Sequence, residues 1–171
     1  MSSLLLIPYP QKIVPSSEYF ILTADVNIIS DDSNYGNAQI LKNRLSVSTG
    51  YPFNLKQEFI SPGIHLKLID TPGEVESESY NLLVAADSIN IEAPTPHGVF
   101  NGIQTLLQLL PSEIESPVSH PEIEWVIPGM RISDQPRFSW RGFMIDEGRH
   151  FQRHLLSWQR ANLHLLAKYP R

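Results

Sequence analysis

Residues 80–110 read YNLLVAADSINIEAPTPHGVFNGIQTLLQLL. Two strands and a helix are written in this stretch. Tyr80 to Val84 and Ser88 to Glu92 are short runs rich in branched and aromatic side chains, joined by a turn at Ala86-Asp87. Pro94-Thr95-Pro96 then introduces the best-marked helix in the chain. Val99, Phe100, Ile103, Leu106, Leu107 and Leu110 recur at helical spacing and form a wide apolar stripe, the pattern of a helix lying on a sheet. Pro111 ends it. Gly98 and Gly102 lie within the apolar stretch and allow close packing, and no glycine-rich phosphate loop is present.

The same reading extends outward. Pro8, Pro10 and Pro15 keep the start of the chain extended. Tyr19-Phe20-Ile21-Leu22 and Val26-Asn27-Ile28-Ile29 are expected strands. Ser30 to Asn34 is a polar turn, and a helix follows from about Tyr35, with Ala38, Leu41 and Leu45 inward and Gly50 as its stop. Pro52 to Leu55 and Ile64 to Ile69 add two strands, the second alternating apolar with polar as a half-buried strand does. Asp70 to Ser79 and residues 111–121 read as loops. Trp125-Val126-Ile127 and Met130-Arg131-Ile132 read as two extended pieces around Pro128-Gly129. Several strands with only two helices imply a two-layer α+β domain, helices on one face of a β-sheet, over residues 1–130. A doubly wound parallel fold would need a helix after each strand.

Composition sets the bounds. The chain has 171 residues, enough for one domain or one domain with part of a second. Apolar residues are 42% and charged residues 18%, a globular composition. There is no cysteine, which excludes disulfide scaffolds, thiolate zinc sites and cysteine nucleophiles. No apolar run reaches the ~18–20 residues of a membrane span, and the opening Leu4-Leu5-Leu6-Ile7 is short for an export signal, so a cytoplasmic protein with no membrane partner is expected. The net charge of −5 is split: residues 1–130 carry −10 and residues 131–171 carry +5. The basic residues of the tail are scattered among apolar ones, which favours local ion pairs over nucleic-acid binding.

Two stretches carry a family likeness. One is the segment from Tyr80 to Leu110. The other is Ile132-Ser133-Asp134-Gln135-Pro136-Arg137-Phe138-Ser139-Trp140-Arg141-Gly142-Phe143-Met144-Ile145-Asp146-Glu147-Gly148-Arg149-His150-Phe151. With Ile7-Pro8-Tyr9-Pro10-Gln11-Lys12 they resemble, over about residues 5–151, the front of a family 20 glycoside hydrolase, a β-N-acetylhexosaminidase. The resemblance implies a non-catalytic α+β domain of zincin-like topology, followed by a TIM-barrel catalytic domain whose first strand would run from Arg141 to Asp146. It implies terminal N-acetylhexosamine glycans as substrates and no cofactor. It also implies a substrate-binding role for Arg141, in Trp140-Arg141-Gly142, where a guanidinium grips sugar hydroxyls without titrating.

The barrel itself cannot fit. It needs at least ~200 residues, and 37 follow Asp134, so residues 131–171 are expected to be a truncated barrel start. Members of the family use an Asp–Glu pair in a His-x-Gly-Gly-Asp-Glu context, the Glu as acid and the Asp orienting the substrate's own acetamido nucleophile, an exception to the two-carboxylate scheme. That context does not occur here. Asp146-Glu147 lies in a different setting, Met-Ile-Asp-Glu-Gly-Arg-His, and is assigned no catalytic role; a structural Asp beside a surface Glu is the simpler reading. The tail holds Ala161-Asn162-Leu163-His164 and Lys168-Tyr169-Pro170 in compressed form, like an internally deleted version of the family's next segments.

Other constellations weigh less. His150 and His154 are four apart, with His164 nearby, but no third carboxylate ligand falls at a fitting position and no His-Glu-x-x-His is present, so no metal is assigned and a metallopeptidase is a remote rival. Ser139 and Ser157 sit in no nucleophile motif. Tyr80, Phe100, Trp125 and Trp140 are expected in the core. The expected function is that of a truncated, by itself inactive, β-N-acetylhexosaminidase. The alternative is a non-catalytic interaction module that docks to another chain or forms a homo-oligomer through residues 138–166, where Phe143, Met144 and Ile145 would be an apolar strand lacking neighbours.

Overall fold

A computed structural model describes residues 6–70, 77–138 and 140–142. Contacts divide the chain into one compact unit ending at Gln135 and a second beginning at Pro136. The first unit holds, in order, β1 (Lys12–Ile21), β2 (Asn27–Ser30), α1 (Tyr35–Thr49), β3 (Asn54–Lys56), β4 (Gly63–Leu68), β5 (Tyr80–Val84), β6 (Ser88–Ala93), α2 (Pro96–Leu109) and β7 (Val126–Asp134). The strands form one seven-stranded sheet in the order β1-β7-β5-β6-β4-β2-β3.

The sheet is mixed. β3, β2, β4 and β6 run parallel. β5, β7 and β1 add antiparallel neighbours. The β2-α1-β3 unit supplies the crossover that adjacent parallel strands require. Side-chain alternation puts Ile28, Ile64, Leu66, Ile89, Ile91, Leu82 and Ile132 on one face, and each is essentially buried. α1 covers that face at β2 and β3, α2 covers it at β4, β5 and β6, and the helices touch each other. Both helices therefore lie on one face, giving the two-layer α+β arrangement. The other face, with Asn81, Ser88, Asn90, Glu92, Arg131 and Ser133, is largely polar.

Local chemistry sets the helix ends. Asp31 accepts the Asn34 N–H at 3.0 Å, opening the 3-10 turn Asp32–Asn34 that leads into α1. Gly50, at φ 73°, closes α1. Thr95 accepts the Gly98 N–H at 3.2 Å with Pro96 in the first turn of α2. The two glycines of α2 face the sheet closely. A Cβ on Gly98 would lie 2.3 Å from the Ser79 carbonyl oxygen, and one on Gly102 would lie 2.5 Å from Ile91 Cγ2.

The structure corrects several expectations. The first strand is far longer than Tyr19 to Leu22, because β1 begins at Lys12 and tolerates Pro15 as an edge strand. The two pieces around Pro128-Gly129 are one strand, β7, in which the register against β1 shifts between Pro15 and Tyr19. Gly129 sits in that irregularity, where a Cβ would meet the Glu18 carbonyl oxygen at 2.5 Å. β7 crosses the boundary expected at residue 130: its last residues pair with β5 up to Asp134, so the sheet is not complete without them. Residues 111–121 contain a 3-10 turn, Ser112–Glu115. Tyr80 and Trp125 are core residues, Phe100 is half-buried, and Trp140, expected inside, is 86% exposed. The expected barrel strand lies outside the described residues beyond Gly142, as do Asp146, Glu147 and the tail histidines.

Candidate functional site

The end of β7 is held by a polar network. The Tyr80 hydroxyl shares a 2.5 Å hydrogen bond with Thr105 Oγ1 of α2, and donates to Asp134 Oδ2 at 3.2 Å. The Gln11 N–H donates to Asp134 Oδ1 at 3.2 Å, and Gln11 Nε2 donates to the Gln135 carbonyl at 3.4 Å. Ser133 Oγ donates to Asn81 Oδ1 at 2.7 Å. One carboxylate thus ties β5, α2, β7 and the N-terminal segment at the point where the first unit ends. Hydrogen bonds to a charged acceptor are the stronger kind. Neither Asp134 nor Gln11 was singled out chemically in the sequence. Their spacing of over a hundred residues hides a contact that only the β1–β7 pairing creates.

Arg141 is seven residues beyond Asp134, in the second unit. Its Nη1 donates to the Phe138 carbonyl oxygen. Arg137 sits 5.6 Å above the Phe138 ring in a cation–π contact, and Phe138 is 63% exposed. What this segment offers is a cluster of guanidinium and aromatic groups, chemically suited to a polar ligand with an apolar face. The described residues place no carboxylate pair beside it.

A second constellation was not anticipated. Ser116 Oγ lies 2.8 Å from His120 Nε2, and His120 Nδ1 lies 2.9 Å from Glu122 Oε1. The order is that of a nucleophile relay. Its other contacts assign it to holding the loop. Ser116 Oγ accepts the Val118 N–H, the His120 N–H donates to the Ser48 carbonyl at 2.8 Å, and Ser48 Oγ donates to the Ile114 and Ser116 carbonyls at 2.8 Å each. The hydrogen bond from His120, then one from its own backbone N–H, lowers the Glu122 pKa below its ordinary value.

His65, on β4, was read only as a polar position of a half-buried strand. It is 1% exposed and stacks on Phe59. Burial, then the nearby Lys67, lowers its pKa below 6.5, against smaller upward effects of Asp87 and the Ile60 backbone. The signal was an aromatic residue six positions earlier across the Pro62-Gly63 turn, which folds back over the strand. Among the described residues no group of three His, Asp or Glu side chains is placed to hold a metal ion, and no helix is long and apolar enough to cross a membrane.

Comparison with known proteins then assigns the family. Residues 4–135 match glycosyl hydrolase family 20, domain 2, and the chain belongs to that family. A β-hexosaminidase from Porphyromonas gingivalis is 32% identical over 149 residues, which is 85% of this chain and 19% of that protein. β-Hexosaminidase 3 of Arabidopsis thaliana is 29% identical over 170 residues, 84% of this chain and 30% of its own. The N-acetyl-β-hexosaminidase of Streptomyces plicatus superposes with a TM-score of 0.82 and 30% identity, covering 95% of this chain and 32% of the other. The chain therefore spans about a fifth to a third of the length of these relatives.

Proposed function

We propose that this chain provides the N-terminal, non-catalytic domain of a β-N-acetylhexosaminidase, of zincin-like topology, together with the start of its TIM barrel. Hydrolysis of terminal N-acetylhexosamine residues then belongs to the barrel and not to these 171 residues alone. The observation that carries the reading is where the family match stops. It ends at residue 135, where the first compact unit ends, and the relatives are three to five times longer.

In this reading the first unit is a folded platform, and the Asp134 network anchors the chain where it passes toward the barrel. Arg141 contributes hydrogen bonds to hydroxyls of the terminal sugar, since its planar donors match paired oxygens. The acid that protonates the leaving oxygen and the carboxylate that orients the acetamido group are supplied by barrel residues in a His-x-Gly-Gly-Asp-Glu context, which this sequence lacks. No cofactor takes part.

The test is hydrolysis of a chromogenic N-acetylglucosaminide by the 171-residue chain. General acid catalysis alone contributes ~10²–10⁴ in rate, so turnover at background level is expected. Turnover that disappears in Asp146→Asn or Glu147→Gln would overturn the reading. A second reading, a module that self-associates or docks to another chain through residues 138–166, draws support from the exposure of Phe138 and Trp140.

A further inference from the structure

The connection between β3 and β4, residues 57–62, belongs to no helix or strand and folds back over the open face of the sheet. Its ends are fastened. Gln57 Nε2 donates to Asp32 Oδ1 at 2.8 Å, Ser61 Oγ donates to the Asp87 carbonyl at 3.2 Å, and the Pro62 carbonyl accepts the Asn27 N–H at 3.4 Å. Between these fastenings the Phe59 ring lies on the His65 imidazole, with centroids 4.4 Å apart and planes at 21°. Phe59 is 71% exposed and His65 1%, so the phenyl ring is a lid with one face in water. Lifting it uncovers little apolar surface beyond the face that touches His65.

His65 fits under that lid in one protonation state. Both ring nitrogens are shielded from solvent, and neither makes a hydrogen bond of standard geometry. The acceptor that the connection offers is the Ile60 carbonyl, on the Nε2 side: a Cβ on Gly63 would lie 2.5 Å from that oxygen and 3.2 Å from Nε2. A neutral imidazole carries one N–H, which the Ile60 carbonyl can serve, whereas an imidazolium carries two. The second, on Nδ1, has no acceptor while the lid is shut. Register sets Ile29 of β2 and Asn90 of β6 beside His65 on the open face, and neither titrates. Lys67 lies two positions along β4, with Glu92 of β6 at 4.0 Å from its Nζ, and Lys56 of β3 is level with Ile29. Asp87 is in the β5–β6 turn and the exposed Glu58 is in the connection itself. Burial, then Lys67, disfavours the imidazolium and outweighs Asp87 and the Ile60 backbone.

The geometry points to an acid-opened flap: protonation of His65 releases Phe59, and the connection swings out between its anchors at Gln57 and Ser61 so that water reaches Nδ1. A phenyl face attracts an imidazolium, but burying a charged N–H without an acceptor costs more than that attraction returns. The opening is local. Ile64 and Leu66, the neighbours of His65 on β4, are buried on the opposite face of the sheet, under the helices, and do not depend on the lid. Gly63 makes the closed state possible, since any side chain there would push the Ile60 carbonyl off the strand. The flap belongs to the first unit and does not depend on the hydrolase reading.

The experiment follows the full chain by NMR from about pH 7.5 to about pH 5. As the His65 ring signal titrates, the nuclear Overhauser effect between the Phe59 and His65 rings should fall by at least ~threefold. Backbone relaxation should report greater motion at residues 58–60 with the same midpoint. The amides of β4 and β6 should stay protected from exchange throughout. His65→Gln should abolish the response of residues 58–60 to pH. Phe59→Ala, at an exposed position, should keep the fold and raise the His65 midpoint toward 6.5, because water then reaches the ring in both protonation states. A His65 that titrates with the ring contact intact, a His65→Gln chain with the wild-type response, or an unmoved midpoint in Phe59→Ala would overturn the proposal. Loss of β4 and β6 protection together with the ring contact would overturn it as well, since the chain would then be unfolding as a whole.

Discussion

Replacing Gly98 with alanine tests how α2 is seated on the sheet. The added methyl would lie 2.3 Å from the Ser79 carbonyl oxygen and 2.7 Å from Ala93 Cβ. Both neighbours are backbone or a side chain with no freedom to turn away, and the first is about an ångström inside ordinary contact distance. Either the end of β6 or the segment before β5 must shift. Overpacking of this kind costs ~1–3 kcal/mol. Alanine recovers part of it through helix propensity, up to ~1 kcal/mol in a helix interior and less here, in the first turn of α2. The expected net loss is ~1–2 kcal/mol. With a urea slope of ~1–3 kcal/mol/M the unfolding midpoint should fall by about 0.3–2 M. Gly36→Ala, in α1, is the matched control, since no atom lies within 4 Å of its added methyl; it should be neutral or stabilising by up to ~1 kcal/mol. A Gly98→Ala midpoint equal to or above that of Gly36→Ala would refute the close approach of α2 to β5 and β6.

Two other outcomes follow from the same structure. Because the folded-state pKa of His65 lies below its ordinary 6.5, the unfolded chain binds the proton more readily. Stability should therefore be fully present above about pH 6.5 and decline as the pH falls below it toward the folded pKa. His65→Gln should flatten this slope between about pH 6.5 and 5, above the carboxylate range, and an unchanged slope in urea titrations across that window would count against burial of a neutral His65. For self-association, the full chain should scatter light as a dimer or larger species and residues 1–135 as a monomer; a monomeric full chain would remove the self-association reading.

The layout of local elements was legible in the residues. The stripe from Val99 to Leu110, the Thr95-Pro96 start and Gly50 as a stop are signals within a few positions, and helix formation depends on such neighbours. The short runs Tyr80 to Val84 and Ser88 to Glu92 likewise read as strands joined by a turn, and they are β5 and β6. β1 and β7 were only partly legible. Their residues read as fragments because Pro15, Pro128 and Gly129 break the local pattern, and only pairing between strands more than a hundred residues apart makes each continuous.

Family membership and the likeness around Arg141 were also present in the sequence, since motif order and spacing are linear properties. The site chemistry was not. Asp134 gains meaning when Tyr80, itself bonded to Thr105 of α2, and the Gln11 N–H converge on it from distant parts of the chain. His65 occupies a position that alternation assigns to the open face, yet it is buried because Phe59 folds back over it. The physical reason is range. Helix and strand preferences are decided by neighbours along the chain, whereas strand order, burial on the open face and convergence of polar groups depend on which distant segments meet, and only the closed sheet decides that.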